Sequence, residues 1–250
     1  MRQAMIFAAG LGTRLRPLTD TMPKALVPVG KVPLIGHVVD RLHDAGFQRV
    51  VVNVHHFPDQ IIDYLETHPV EGMDFCISDE RDMLLETGGG LRKATPLFDN
   101  DSKVLVHNVD ILSNADLTEL YDGADSDATL LVSERETSRY LLFDDDMRLV
   151  GWTNVKTGEV KTPYAGLRVD ECRRLAFSGI HVIAPSLLRQ MNDWPPRFGI
   201  VDFYLAMCEK MVIRGVVQPG LRLLDVGKVD SLEQAERFEH RLTHGDASVF

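Results

Sequence analysis

Apolar and polar positions along the first half of the chain fall into blocks whose period keeps switching. Ala4–Ala8 is a short continuous apolar run that ends in glycine, the pattern of a buried strand feeding a loop. Leu34, Val38, Val39, Leu42 and Ala45 then recur at helical spacing, which predicts a helix. Arg49–Val54, rich in valine, predicts a second strand, and Ile61, Ile62 and Leu65 a second helix. Phe75–Ile77 reads as a weak strand and Gly88–Ala94 as the opening of a helix. Val104–Val106 reads as a buried strand running into Asn108–Asp110. Leu117, Leu120 and Tyr121 mark another helix, and Ala128–Val132 another strand.

Strands that alternate with helices demand right-handed crossovers, so the expected fold is α/β. The expected core is a mostly parallel, Rossmann-like sheet with helices on both faces. In such sheets ligands sit at the carboxyl ends of the strands. Gly10 and Asp110 both follow strands and should share that edge. The second half changes character. Tyr140–Phe143, Leu149–Trp152, Ala176–Ile183 and Leu221–Leu224 read as shorter strands separated by turns such as Asp144–Asp146. They predict a small antiparallel extension carrying the pocket for a second substrate. Ser231 precedes a helix through Arg241, with Gln234 placed for a capping box, and Thr243 to Phe250 should fray. The expected organisation is one domain over residues 1–245, with a first half to about residue 135 and a second over about 136–230.

Composition narrows the function. The chain has 250 residues, and its 44% hydrophobic and 26% charged content suits a globular protein. A formal net charge of −10 argues against nucleic acid as a main partner. A small anionic substrate held by a local cluster of Lys and Arg remains compatible with it. Cys76, Cys172 and Cys208 are far apart and form no C-x-x-C pair, as expected of reduced thiols in a cytoplasmic protein. The longest apolar run near the start, Met5–Ala9, is cut by Gly10, so no membrane span is expected.

The chemistry concentrates in Phe7-Ala8-Ala9-Gly10-Leu11-Gly12-Thr13-Arg14-Leu15-Arg16-Pro17-Leu18-Thr19, followed by Pro23-Lys24-Ala25-Leu26-Val27-Pro28-Val29. Small residues after a strand let backbone N–H groups approach an anion closely. Arg14 supplies a fork for phosphate oxygens and Lys24 a mobile point charge. A dinucleotide fingerprint would need a glycine where Leu15 stands, and a P-loop would need Gly-Lys-Ser/Thr. Neither is present.

This string resembles the signature of the sugar nucleotidyltransferases, also called NDP-sugar pyrophosphorylases. The match is close over residues 5–29 and weaker to about residue 240. The resemblance implies that Ala8, Ala9, Gly10, Gly12 and Thr13 bind the triphosphate and that Arg14 and Lys24 neutralise phosphate charge during transfer. It also implies magnesium on Asp110 and Asp225, the two places where related enzymes carry metal aspartates. Two carboxylates completed by phosphate oxygens and water suit that ion. The family usually has a small residue before the first aspartate, whereas this chain has Val109. A β-branched side chain there is expected to tighten the space beside Asn108 and the nucleotide.

Leu85-Glu86-Thr87-Gly88-Gly89-Gly90 resembles the family's base-binding loop, with Thr87 and Gly88 against the base or ribose. Asp79 and Glu80 precede it; either accepts a base N–H, or both are solvated. Asn53-Val54-His55-His56-Phe57 and Phe177-Ser178-Gly179-Ile180 resemble segments of the N-acetylmuramate-1-phosphate uridylyltransferases, which places Gly179 near the sugar. His55 and His56 have no cysteine or carboxylate at metal-ligand spacing, so zinc is not expected. The absence of hexapeptide repeats means that the β-helix of bifunctional relatives is not expected.

The resemblance implies in-line attack of a sugar 1-phosphate on a nucleoside triphosphate, UTP and N-acetylmuramate 1-phosphate being favoured. Guanylyl transfer to a mannose or heptose phosphate is the alternative with the same chemistry, and a silent regulatory module the alternative of another class. The partners expected are these two substrates, in a monomer or small homo-oligomer. Lys156, Lys161 and Arg139 are candidates to hold the sugar phosphate, and none lies in a convincing motif.

Overall fold

The computed structural model describes residues 1–244. Fourteen strands and seven α-helices follow one another. The strands are β1 (Gln3–Phe7), β2 (Pro28–Val29), β3 (Val32–Pro33), β4 (Arg49–Val54), β5 (Asp74–Asp79), β6 (Val104–Asn108), β7 (Ile111–Ser113), β8 (Ala128–Ser133), β9 (Arg139–Phe143), β10 (Leu149–Asn154), β11 (Glu159–Lys161), β12 (Arg173–Ile183), β13 (Ile213–Val217) and β14 (Leu223–Asp225). The helices are α1 (Leu34–Asp44), α2 (Pro58–Thr67), α3 (Glu86–Ala94), α4 (Leu117–Asp122), α5 (Pro185–Gln190), α6 (Ile200–Met207) and α7 (Leu232–His244). No described helix is long and apolar enough to cross a membrane.

Four strands, in the order β5-β4-β1-β6, run parallel. In β1, β4 and β6 the runs of Val, Ile, Met and Ala are buried on both faces, which is why they read as continuous apolar segments; the edge strand β5 is only partly buried. α1 and α2 cover one face with Leu34, Val38, Leu42 and Ile61. α3 and α6 cover the other with Leu91, Ala94, Phe203 and Tyr204.

The second half extends this sheet mostly by antiparallel pairing. β12 runs antiparallel to β6 and lies between it and β8, so the later strands continue the same ten-stranded sheet. β9, β10 and β11 add an antiparallel meander at the far end. Several elements go beyond the expected ones, among them β13, parallel to β8, and α6. The strand expected at Leu221–Leu224 begins at Leu223 and leaves the main sheet to pair with β7.

α7 begins one residue after Ser231, inside a 3₁₀ turn. The Ser231 hydroxyl turns back to the backbone of Lys228, donating to its carbonyl and accepting from its N–H. The helix continues to His244, so Thr243 belongs to it; the rest of the fraying expected up to Phe250 lies outside the described residues. α7 is tied to the body by His37 of α1, which pairs with Glu239 at 3.4 Å and bonds Val29 O at 3.1 Å.

Candidate active site

β1 and β6 are neighbours in register, with Phe7 opposite Asn108. The loop after β1 and the turn after β6 therefore leave the sheet at the same edge. Within the first loop the chain is braced from below. The Thr19 hydroxyl, almost fully buried, donates to Gly12 O at 2.9 Å, and Thr19 O meets His56 Nε2 at 3.1 Å. Gly12 sits at φ +63°, with Thr19 and Lys24 packed where a Cβ would stand. Gly10, Leu11, Thr13 and Arg14 face solvent, while Ala8 and Ala9 are buried. No hydrogen bond within the described residues occupies the N–H groups of Gly10 and Leu11. That leaves donors free at a strand end, the arrangement an anion needs.

Lys24 opens a 3₁₀ turn after Pro23 and points back under this loop, 8% exposed, onto the carboxylate of Asp110. Asp225 reaches the same point through the ribbon of β7 and β14, in which it pairs with Ile111, and Val226 N donates to Asp110 O at 2.8 Å. Asp225 keeps an exposed edge. Partial burial and the charge of Asp110 nevertheless raise its carboxyl above the ordinary range, while Lys24, Arg14 and Arg135 pull the other way. Arg14 stands over Gly227. A Cβ there would come 2.8 Å from both Arg14 Nη2 and Asp225 Oδ1. Two carboxylates 115 positions apart in sequence (110 and 225) thus meet between two cations. Like charges held this close favour a bound cation.

Among the described residues no group of three or more His, Cys, Asp and Glu could enclose a metal. A divalent ion at Asp110 and Asp225 would draw its remaining ligands from substrate phosphates and water. That matches magnesium, which binds through one or two carboxylates and keeps its waters.

Asn108 and Gly179 also meet. Gly179 lies in a bulge of β12 at φ +79°, and a Cβ there would strike the Asn108 side chain. Val109, expected to crowd this spot, instead points into the hydrophobic core at 4% exposure. Its bulk is absorbed by packing and does not narrow the cleft.

Glu80, Thr87 and Gly88 have other duties. Glu80 is 1% exposed and both its carboxyl oxygens are taken: Oε1 accepts from Asn53 Nδ2 at 2.7 Å, and Oε2 from Leu85 N at 3.0 Å. Asn53 Oδ1 in turn accepts the N–H of Ala8 at 2.8 Å. Glu80 therefore braces the first loop from inside, closed off from solvent. Asp79 holds Arg81 through its N–H and Nε at 2.9 and 2.7 Å, which lowers its carboxyl pKa despite the opposing pull of burial. Thr87 Oγ1 accepts from Ile200 N, and the N–H groups of Gly88 and Gly89 both go to Phe198 O. Side chains at Gly88 and Gly89 would collide with the Phe198 ring and Pro196 O, and one at Gly90 would come 2.7 Å from Glu80 Oε1. Three glycines inside a helix cost about 1 kcal/mol each against alanine. The helix carries them because neighbouring chain occupies the space where their side chains would be.

His55 bonds Glu80 O at 2.7 Å and His56 bonds Thr19 O, so both are structural. Lys161 pairs with Asp202 and lies over Trp152. Arg135, which the sequence reading passed over, follows β8 on the ligand edge and bonds Phe177 O at 3.2 Å.

The nucleotidyl transferase family model matches residues 3–140 of this chain. The N-acetylmuramate alpha-1-phosphate uridylyltransferase of Caulobacter vibrioides is 34% identical over 225 residues, covering 87% of this chain and 89% of that protein. The chain belongs to the nucleotidyl transferase family. The Neisseria meningitidis protein of the same description is 43% identical over 124 residues, 50% of this chain and 53% of its own. A putative glucose-1-phosphate thymidylyltransferase from Bacillus anthracis has the same fold, with a TM-score of 0.80, 17% identity and coverage of 100% of this chain and 98% of that one. As a nucleotidyltransferase, the chain is an enzyme of sugar-1-phosphate nucleotidyl transfer.

Proposed function

We propose that the enzyme transfers uridylyl from UTP to N-acetylmuramate 1-phosphate with magnesium, releasing pyrophosphate. The observation that carries this reading is the similarity to the Caulobacter uridylyltransferase along nearly the whole of both chains. The site supports it against guanylyl transfer. Guanine presents N–H donors that need an acceptor, and the buried Glu80 carboxylate already has both oxygens bonded within the fold.

The acceptor's phosphate oxygen attacks the α-phosphorus in line. One P–O bond forms, the bond to pyrophosphate breaks, and the bond electrons leave with the pyrophosphate. The nucleophile is ionised at neutral pH, so no general base is needed, and catalysis reduces to alignment and charge neutralisation. The open N–H groups at Gly10 and Leu11 bind the triphosphate. Arg14 and Lys24, on either side of the carboxylate pair, offset charge on the transferring and leaving groups. Magnesium, when held by Asp110 and Asp225, supplies Lewis-acid neutralisation of the reacting phosphates.

The test is pyrophosphate release with UTP, GTP, CTP and dTTP against N-acetylmuramate, N-acetylglucosamine, glucose and mannose 1-phosphates. The highest kcat/KM is expected for UTP with N-acetylmuramate 1-phosphate. A higher value for GTP with mannose 1-phosphate would overturn the substrate reading and leave the reaction class standing.

A further inference from the structure

A groove of about 710 Å³ lies beside the carboxylate pair. Its walls come from the end of β8 and the loop after it, from the chain around β14, and from one face of α7. Arg135, Arg222 and Arg241 line it together with Leu224 and Phe238. In a protein of net charge −10 this is a local reversal of sign. Among the described residues the carboxylate on the wall is Glu134, which pairs with Arg173 at 3.9 Å.

The groove is continuous with the site. Leu223 and Leu224 line it, and Asp225 is the next residue. β8 runs antiparallel to β12, as β6 does, so β8 ends at the same sheet edge as β6. Arg135, two residues beyond β8, stands close enough for its charge to act on Asp225. Among the described residues it makes a single hydrogen bond, to Phe177 O, although a guanidinium carries five N–H donors. Nothing in the phosphate chemistry requires Arg135 and Arg241 beyond Arg14 and Lys24. The volume falls within the range of small-ligand sites, and a lining that mixes leucine and phenylalanine with arginine suits an organic anion.

We infer that this groove reads a second negative charge on the acceptor, a carboxylate carried by the sugar, with Arg135 as the specificity-determining residue nearest the reacting centre. The inference rests on the acceptor being an acidic sugar 1-phosphate, as in the reading above. N-acetylmuramate 1-phosphate differs from N-acetylglucosamine 1-phosphate by one lactyl ether, whose carboxylate is the group for the arginines to hold.

The test compares acid and neutral acceptors in matched pairs, with UTP as donor. One pair is N-acetylmuramate against N-acetylglucosamine 1-phosphate; the other is glucuronate against glucose 1-phosphate. The wild-type chain is measured beside Arg135→Gln, Arg135→Lys and Arg241→Gln, all changes at exposed positions. The wild type is expected to prefer the acid member of at least one pair. In Arg135→Gln the acid-to-neutral ratio of kcat/KM should fall about tenfold or more through the KM of the acid, the scale of one lost charge-assisted hydrogen bond. Arg135→Lys should recover part of it, and Arg241→Gln should lower the same ratio. An unchanged ratio in both glutamine variants, with N-acetylmuramate 1-phosphate still the best acceptor, overturns the groove inference and leaves the substrate reading intact. An equal loss on both members of a pair assigns Arg135 to the phosphates and also overturns it. A ratio that falls only for the glucuronate pair sustains the groove and sinks the N-acetylmuramate reading. A wild type that prefers both neutral sugars overturns both.

Discussion

Glu80→Gln separates two roles that a buried carboxyl beside a nucleotide site could have. In the structure each carboxyl oxygen accepts one donor, Asn53 Nδ2 at 2.7 Å and Leu85 N at 3.0 Å. A glutamine keeps the shape but has one acceptor oxygen, and its NH₂ must face one of those two donors. Asn53 cannot relieve the clash by flipping its amide, because its Oδ1 already accepts the N–H of Ala8. One buried donor is therefore left unpaired, at a cost of about 1–3 kcal/mol. For a domain of this size each kcal/mol lowers Tm by roughly 2–4 °C. Thermal and urea unfolding measure that cost, and steady-state kinetics measure KM for the triphosphate. The expected result is a clear loss of stability with a modest rise in KM, transmitted through Ala8. Unchanged stability with a KM raised more than tenfold would refute the bracing role and return Glu80 to direct contact with the base.

Three further outcomes follow from the same geometry. Arg14→Ala should lower turnover by about 10²–10³ with little change in Tm, since Arg14 is exposed and its contact is to phosphate; near wild-type turnover would make it a surface charge. Lys24→Ala should lose both turnover and stability, because it leaves Asp110 and Asp225 facing each other without their buried cation, a combination that paired kinetics and unfolding will show. Exhaustive EDTA treatment should abolish activity and added magnesium should restore it; survival of activity would remove the metal from Asp110 and Asp225.

A pH prediction concerns α7. Burial lowers the His37 pKa, but hydrogen bonds to Glu239 and Val29 O and the charges of Glu239 and Asp40 outweigh it, so the folded value lies above 6.5. A raised base stabilises fully below its unfolded pKa and loses that contribution as pH rises through the folded one. His107 and His181 act in the opposite sense. Burial holds them near 4 and 3, so their contribution falls away as pH drops below 6.5. The stability difference between wild type and His37→Gln should therefore be largest below pH 6.5 and shrink above it. A difference independent of pH would refute the latch.

The parts of the fold that could be read from the sequence are those whose pattern is local. β1, β4 and β6 are buried on both faces and announce themselves as apolar runs, and Gly10 and Asp110 did reach one edge. β13 hid because Arg214 and Gly215 interrupt its pattern, while its partner β8 lies some 85 positions upstream in the register (Ile213 opposite Ala128). The packing reason for the Gly88–Gly90 run is hidden from the sequence for a related reason. Its cause is Pro196–Phe198, more than a hundred residues later, and no local period reveals that contact. Val109 failed as a steric argument because sequence alone cannot tell which side of a turn faces the core. Arg135 lay outside any motif; only its place after β8, beside Asp225, singles it out.

The ribbon of β7 and β14 has a consequence for the order of events as the chain is made. Asp110 and the whole glycine loop emerge in the first half of synthesis, but the second carboxylate arrives only at position 225, and β12 must first insert beside β6 before the later segment can fold back. A ribosome-bound chain can thus shape a phosphate cradle long before it can do chemistry. On this topology the second aspartate joins the first only once β14 has paired with β7.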